Sequence, residues 1–510
     1  MSRRNDFGGF LFVINFKSRK AKGEKNMEKI TEFLLPIVKN INAYLSDYIL
    51  IFLLVGVGVF YSIKTRFVQV RCFGEGMKKT FGQISLRGKN GGGGLSSFQA
   101  LATSIAAQVG TGNIVGACGA ILIGGPGAIF WMWIIAFFGM ATIYAEAVLA
   151  QETRIVNNDG SILGGPVYYI KKAFNNGFGK FLAGFFAIAI TLALGFMGAM
   201  VQSNSIAEST GKAFDIKGWI IGIILAALCA FIFIGGIKRI ASVAEKIVPI
   251  MAVVYLLLGV VIICINITRI PETFAMIFKF AFVPQAMLGG ALGAGIKAAI
   301  SQGVKRGLLS NEAGMGSTPH AHAQANVKNP HDQGVVAMIG VFIDTFVVLT
   351  MTALVVISTL YAGNGLLDNS TVASGYNAIL NAIGKSTLMQ TAVGEAFGNA
   401  TFGNIIVAVC LTFFAFTTII SWNFFGKQNV QYLFGKNEKT AKIATFVYSV
   451  LAVGFIFLGS MFPNDLVWEM TDMFNNLMVI PNALALFFLS AIVVSSAKAK
   501  KEKKLEDQLK

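Results

Sequence analysis

The 510-residue chain is 55% hydrophobic and only 13% charged, and its mean hydropathy is +0.67. Soluble globular proteins carry about 25% charged residues, so this composition excludes an ordinary soluble, secreted, fibrous or disordered chain. The five cysteines are scattered without paired spacing, which argues against a disulfide framework or a zinc site. Because the apolar stretches have about the 20-residue length that crosses a bilayer, the chain is predicted to be an all-α polytopic membrane protein.

Eleven membrane-spanning segments are predicted in chain order. They lie near 47–64, 97–122, 126–150, 181–208, 219–237, 246–267, 290–327, 333–361, 402–426, 441–461 and 467–494. The chain before them is interpreted as an N-terminal extension of little functional content, with Met27 as an alternative start. The predicted units are the extension and lead-in (1–46), an extra helix with a cytoplasmic linker (47–96), a first five-helix repeat (97–267), an external connection (268–289), a second five-helix repeat (290–494) and a basic cytoplasmic tail (495–510).

The net charge of +17 is explained by topology rather than by a nucleic-acid partner. If the segment after the first span is cytoplasmic, the inside segments hold 25 basic residues and the outside segments only five. Such a bias is typical of cytoplasmic loops in membrane proteins. It predicts a multi-pass protein with a cytoplasmic C-terminus, whose partners are membrane lipid and not nucleic acid.

Two of the predicted spans are interrupted near their middle. The second span contains Val109-Gly110-Thr111-Gly112-Asn113, and the seventh contains Ser310-Asn311-Glu312-Ala313-Gly314. Backbone freed at membrane depth is tolerated only against protein or a water-filled cavity, and matching breaks in two halves indicate a transporter binding site between inverted repeats. The alternative is that these glycines only allow close helix packing.

The breaks lie within longer motifs that can be compared with a known family. The motifs occupy residues 99–101, 109–114, 124–133, 306–317, 319–323, 342–345 and 414–422. They resemble the alanine/glycine:cation symporter family over about residues 45–495. The family usually has Phe where Leu309 stands and Ala, Thr or Val near Cys118. The resemblance implies a leucine-transporter-type fold with two inverted five-helix repeats, two discontinuous helices and one extra N-terminal helix, in a bacterial or archaeal cell membrane.

An amino-acid substrate needs separate places for its carboxylate, its ammonium group and its side chain. The half-helix after the first break offers unpaired N–H groups and a positive dipole end to the carboxylate, and Thr111, Gly112 and Asn113 lie there. The second break would offer carbonyls to the ammonium group. The remaining candidates at that break are Leu309, whose size bears on the pocket, and Ser310, Asn311 and Glu312.

The family resemblance adds residues from two further helices to this site. It implies that Gln202 lines the site from the fourth span, and that Thr418, Ile419 and Trp422 line it from the ninth. Trp422 would close the pocket and favour small side chains, since it shares a helix face with Thr418, four residues earlier. The alternative for this tryptophan is a lipid-facing or interfacial position.

A sodium ion needs several hard oxygen ligands. The first break could supply carbonyls at Val109 and Gly112, and Thr417 and Thr418 could supply hydroxyls. Spacing alone favours hydrogen bonds from these threonines to their own helix, whereas the family resemblance favours a sodium site.

Three acidic residues are predicted inside the membrane. Glu312 could contact the substrate, stay protonated or accept N–H bonds from the unwound chain, while ion contact, proton relay and pairing with a basic residue remain open for Glu146 and Asp344. His320 and His322 are too isolated for a metal site and indicate a packed polar helix end, with gating as the alternative.

Together these features predict a secondary active symporter, not an enzyme, that imports alanine or glycine with Na+ by alternating access. No cofactor is expected beyond the coupling ion, and the oligomeric state is left open, with a monomer compatible with the sequence. The alternatives are an H+-coupled carrier of another small solute, an ion channel, and a membrane-embedded enzyme, for which convergent catalytic groups are missing from the sequence pattern.

Overall fold

The structure is a computed structural model that describes residues 31–82, 95–157, 160–282, 292–363, 365–367, 383–435, 437–462 and 464–498. The proposed start at Met27 and nearly all of the predicted basic tail lie outside the described residues, so those two predictions stand as they were made.

The first half of the chain is helical apart from one small hairpin. Strands β1 (Ile155–Val156) and β2 (Ile162–Leu163) form that antiparallel hairpin. The helices are α1 (31–64), α2 (Val68–Arg71), α3 (Phe73–Phe81), α4 (Ser97–Gln108), α5 (Gly112–Gly124), α6 (Ala128–Thr153), α7 (Pro166–Ala173), α8 (Gly177–Phe214), α9 (Gly218–Ile234) and α10 (Gly236–Ile265).

The second half continues with helices after a 3-10 turn at Ile267–Arg269. They are α11 (Ile270–Phe282), α12 (Leu292–Asn311), α13 (Pro319–Ala323), α14 (Pro330–Leu360), α15 (Leu388–Phe397), α16 (Ala400–Phe434), α17 (Glu438–Gly459), α18 (Asn464–Phe488) and α19 (Ser490–Lys498).

The helical membrane class predicted from composition is confirmed. Within the described residues, six helices are long and apolar enough to cross a membrane, namely α6, α8, α10, α14, α16 and α17. The number rises to eight if the bent pairs α4–α5 and α18–α19 each count as one span. The predicted total of eleven spans and the division into two repeats remain predictions.

Local sequence explains where several helices begin. Ser96 and Gln99 form a reciprocal capping box at the start of α4, which satisfies two of its free N–H groups. Asn176, Asn399 and Asn437 each accept a backbone hydrogen bond at the start of α8, α16 and α17. Proline occupies the first turn of α7, α13 and α14, where its missing N–H costs nothing.

Wide π-helical turns interrupt three of the helices that surround the two breaks. They span Gly112–Gly116 in α5, Thr191–Gly198 in α8 and Phe342–Leu349 in α14, and a fourth lies at Leu45–Leu50 in α1. Such turns are often found at functional sites because they redirect side chains and loosen backbone hydrogen bonding. The sequence pattern does not predict these turns.

Two elements differ from the predicted outline. The first span is the C-terminal part of α1, which is already helical at residue 31, the first residue that the structure describes. The predicted external connection contains α11, an amphipathic helix that buries Met276, Ile277 and Phe280. The Trp131 indole of α6 donates a hydrogen bond to the Ala281 carbonyl at 3.2 Å, which ties α11 to the bundle.

Candidate functional site

The first break consists of Val109, Gly110 and Thr111, between α4 and α5, whose axes differ by 44°. Side chains already bind two of the freed N–H groups. The Gly110 N–H donates to Asn113 Oδ1 at 3.0 Å, and the Thr111 N–H donates to Gln202 Oε1 at 3.2 Å. The interruption predicted at 109–113 therefore narrows to three residues, and Gln202 of α8 lies beside it.

The second break runs from Glu312 to Thr318, between α12 and α13, rather than over the predicted 310–314. Glu312 has a left-handed backbone conformation (φ +57°), followed by Gly314 (φ +86°) and Gly316 (φ +78°). A non-glycine residue rarely adopts positive φ, so the surrounding contacts must hold Glu312 in place. Ser310 and Asn311 remain in the last turn of α12.

The helix ends beside the two breaks touch each other. A Cβ atom on Gly112 would lie 2.9 Å from the Cα of Ser310, so only glycine permits this approach. Gln108, the last residue of α4, donates its side-chain amide to the Asn311 carbonyl at 2.8 Å. The structure therefore brings together the two interrupted segments that were predicted to share a site.

Asp344, in the π-helical turn of α14, joins both sides of this contact. Its carboxylate accepts hydrogen bonds from Asn113 Nδ2 at 2.6 Å, from Ser310 Oγ at 2.9 Å and from Thr345 Oγ1 at 2.8 Å. All four residues are fully buried. Ion contact, proton relay and pairing with a basic residue were left open for Asp344. The structure shows a further role, since its carboxylate links Asn113, at the start of α5, to Ser310, at the end of α12.

Two adjacent threonines of α16 point to different neighbours. Thr418 Oγ1 lies 2.8 Å from the carbonyl oxygen of Ala106, in the last turn of α4, and 3.0 Å from the carbonyl of Phe414. Thr417 instead donates to the Phe413 and Phe414 carbonyls of its own helix and lies 3.7 Å from Met251 Sδ. Thr418 therefore lies at the first break, and the structure does not bring the Thr417 hydroxyl there.

Trp422 lies inside the protein and binds the second break. Its indole N–H donates to Glu312 Oε1 at 2.6 Å, and Ser317 Oγ donates to Glu312 Oε2 at 2.5 Å. The indole ring packs on α8, where a Cβ atom on Gly198 would lie 2.5 Å from it. The side chain is 2% exposed, so it is not a lipid-facing tryptophan.

Leu309 and Ile419 lie in the apolar packing around the breaks. Leu309 belongs to the buried apolar cluster that contains Val109, and it also lines a cavity of about 20 Å³ on the side of α1 and α18. Ile419 belongs to the cluster that contains Ala313 and Met315 of the second break. These positions are compatible with walls of a pocket, but neither residue contributes a polar group.

Glu146 of α6 supports the unwound chain of the second break. Its two carboxylate oxygens accept the N–H groups of Gly314 and Gly316 at 3.0 and 2.9 Å. Asn482 donates its amide to Glu146 Oε1 at 2.7 Å and to the Gly314 carbonyl at 2.8 Å. The carboxylate therefore replaces the hydrogen bonds that a helix would have supplied. A sequence search for polar residues inside apolar spans finds Asn482, but its partner cannot be read from spacing.

His320 and His322 pack at the polar end that follows the second break. His320 lies between the Ser317 carbonyl and the Asn429 amide, at 2.7 and 2.8 Å. His322 lies 3.1 Å from Ser104 Oγ and 2.9 Å from Gln333 Nε2. Both imidazoles are fully buried and hydrogen-bonded, as expected for a packed helix end.

Comparison with known proteins agrees with this architecture. The chain is 39% identical over 465 residues to "Sodium/alanine symporter AgcS" of Methanococcus maripaludis, a match that covers 91% of this chain and 96% of that protein. It is 37% identical to "Probable sodium/glutamine symporter GlnT" of Bacillus subtilis, covering 92% and 91%.

A solved structure shares the fold. The crystal structure of MhsT in complex with L-phenylalanine aligns with a TM-score of 0.53 at 12% identity, over 80% of this chain and 99% of MhsT. The profile of the sodium:alanine symporter family matches residues 31–510. The chain therefore belongs to the sodium:alanine symporter family, a family of cation-coupled amino-acid transporters.

Proposed function

We propose that this transporter imports alanine and glycine with Na+, by alternating access around the two breaks. The observation that carries the proposal is that the helix ends beside the two breaks meet each other, and that the middle of α16 contacts both broken segments. The contacts are the Gly112–Ser310 approach, the Thr418–Ala106 hydrogen bond and the Trp422–Glu312 hydrogen bond. Interrupted helices that converge in this way form the substrate sites of secondary transporters. The name of the Methanococcus maripaludis relative supports alanine as the substrate.

The substrate carboxylate is placed at the start of α5. The N–H groups of Gly110 and Thr111 are occupied by Asn113 and Gln202, so the carboxylate would use the N–H groups of the first turn that begins at Gly112. A helix N-terminus favours an anion through its free N–H groups and its dipole. The ammonium group would lie towards Ser310, Asn311 and Glu312, where carbonyls and a carboxylate are available.

The sodium ion is placed where α4 ends against α16. The Thr418 hydroxyl lies against the Ala106 carbonyl in the last turn of α4. The Val109 carbonyl comes three residues later, directly after the end of that helix. In transporters of this kind, unwound backbone carbonyls coordinate the coupling ion. Thr418 thus has the better position for a ligand than Thr417, although both were predicted.

We assign the preference for substrates with small side chains to Trp422. Glu312 holds its indole N–H on one side, and α8 packs against its ring on the other. A large planar residue fixed from two sides cannot move aside at low energetic cost, so it limits the length of the substrate side chain. Alanine and glycine fit this limit better than glutamine.

The experiment is uptake of labelled alanine into liposomes that contain the purified protein. We expect an inward Na+ gradient to drive accumulation, choline in place of Na+ to abolish it, and unlabelled glycine to compete better than glutamine. Equal uptake in choline across a range of pH would exclude sodium coupling, and uptake only at low pH would indicate protons. Stronger competition by glutamine would retain the transporter but contradict the assigned substrate.

A further inference from the structure

A group of three potential metal ligands lies away from the two breaks. Cys72 precedes α3, Glu75 lies in its first turn, and His331 lies in the first turn of α14. The cysteine sulfur, a carboxylate oxygen and an imidazole nitrogen all lie within 4.8 Å of one another. Local spacing could not reveal this group, because the histidine is more than 250 positions from the other two residues.

We propose that Cys72, Glu75 and His331 form a binding site for one thiophilic divalent transition cation, such as Zn2+. Thiolate, carboxylate and imidazole are the ligands that Zn2+ prefers, and three protein ligands with one open position form a common zinc coordination set. The site does not depend on which amino acid the protein carries, so it stands apart from the proposed function.

The imidazole of His331 is oriented as a metal ligand would be. Its Nδ1 lies 2.8 Å from the Tyr144 hydroxyl, which leaves Nε2 to face the group. Nε2 is buried, has no hydrogen-bond partner among the residues that the structure describes, and lies 3.6 Å from Glu75 Oε2. A ligating histidine usually has its other ring nitrogen held by a hydrogen bond of this kind. A buried nitrogen without a partner is costly unless a ligand satisfies it.

Two described basic residues near the group, Lys79 and Arg71, have partners of their own. Lys79 pairs with Asp332 and lies 3.5 Å from Glu75 Oε1, the oxygen other than the one nearest His331. Arg71 donates to the Thr65 carbonyl at 3.1 Å. Glu75 Oε2 lies on the side of the imidazole, 3.6 Å from His331 Nε2, as a shared cation would require.

The two segments that carry the ligands are already packed together. A Cβ atom on Gly76 would lie 2.7 Å from the Val335 carbonyl oxygen, so α3 approaches the backbone of α14 closely. Phe73 and Phe342 make an edge-to-face contact with ring centroids 4.9 Å apart. Cation binding would therefore require little rearrangement. The cation would link α3 to α14, the helix that also carries Asp344.

The test uses the purified full-length protein in detergent after chelator treatment. Co2+ replaces Zn2+ as a visible probe, because a cobalt–thiolate bond gives a charge-transfer absorption band, and Zn2+ affinity is measured by competition with a chromophoric chelator. We expect the wild type to bind one equivalent and show the band. Cys72→Ser should lose the band, and both Cys72→Ser and His331→Gln should weaken Zn2+ binding by about tenfold or more.

Cys264→Ser is the matched control, since Cys264 is exposed and lies on α10, away from the group. It should keep both the band and the wild-type affinity. If His331→Gln does not fold, the half-buried Cys72 decides the outcome alone. Equal Zn2+ affinity in wild type and Cys72→Ser, or a thiolate band that persists in Cys72→Ser and disappears in Cys264→Ser, would overturn the site.

Discussion

Thr417 and Thr418 are adjacent in the sequence, yet their hydroxyls have different surroundings. Thr418 reaches across to α4, whereas Thr417 bonds back to its own helix and faces Met251. Successive residues on a helix differ by about 100° in direction, so the choice depends on how α16 is rotated against its neighbours. A Thr-Thr pair predicts that one hydroxyl faces the break, but it does not tell which.

Gly112 is the residue at which the contact between the breaks can be tested by adding one methyl group. Gly112→Ala would place Cβ 2.9 Å from the Ser310 Cα, and such overpacking typically costs about 1–3 kcal/mol. We expect alanine uptake to fall by about tenfold or more and the thermal unfolding temperature to decrease.

Gly184→Ala is the control for this substitution, because a Cβ on Gly184 in α8 would have nothing within 4 Å. It should leave uptake unchanged, and alanine should suit the helix better than glycine. Wild-type uptake by Gly112→Ala would show that the two breaks do not need this close approach.

The positions of individual residues at the breaks were predictable where a residue type is characteristic of an interrupted helix. Glycine at 110 and 112, with Thr111 and Asn113 beside them, indicated the first break directly. The role of Asp344 could not be predicted in the same way. Its partners Ser310 and Asn113 lie 34 and 231 positions away, and only the fold brings them together.

At the scale of helices, the existence of both breaks was predictable, but the extent of the second was not. Gly314 and Gly316 adopt left-handed conformations that extend the break to Thr318. Ser310 and Asn311 stay helical at the end of α12. Polar residues inside an apolar span indicate an interruption, but its limits depend on partners such as Glu146 and Asn482, which supply hydrogen bonds from other helices.

The junction of α4 and α16 is tested by Thr418→Val, which keeps the shape of the side chain and removes the hydroxyl. We expect the Na+ concentration for half-maximal alanine uptake to rise by about tenfold, because losing one ligand or hydrogen bond to a charged group costs about 1.5–3 kcal/mol. Initial uptake rates over a range of Na+ concentrations provide the measurement.

Thr412→Val is the comparison on the same helix. Thr412 donates to the Ala408 carbonyl of its own helix and is partly exposed. It should leave the Na+ dependence unchanged. If Thr418→Val also leaves it unchanged, the sodium ion does not bind at this junction.

For the whole molecule, composition predicted a helical membrane protein, and charge distribution predicted how it is oriented. The class is confirmed, while the orientation stays a prediction. The basic residues are concentrated in the segments predicted to be cytoplasmic. The orientation can therefore be tested at two exposed positions between the spans, Val156 on the predicted inside and Lys217 on the predicted outside.

Single cysteines at these positions should react differently with a membrane-impermeant maleimide added to intact cells. Lys217→Cys, between α8 and α9, should be labelled from outside, and Val156→Cys, in the hairpin, should be labelled only after the membrane is opened. The unsubstituted protein measures the background from its five cysteines. The reverse pattern would mean that the C-terminus faces outward.

We propose that Thr111 with the adjoining start of α5, together with the Trp422 indole of α16, holds the substrate. The most direct measurement is Na+-driven alanine uptake in liposomes by Thr111→Val and Trp422→Ala, beside wild type and the controls Thr412→Val and Trp219→Ala. Trp219 is exposed on α9. We expect uptake to fall by about tenfold or more in Thr111→Val and Trp422→Ala and to stay unchanged in both controls. Normal uptake by Thr111→Val and Trp422→Ala would contradict it.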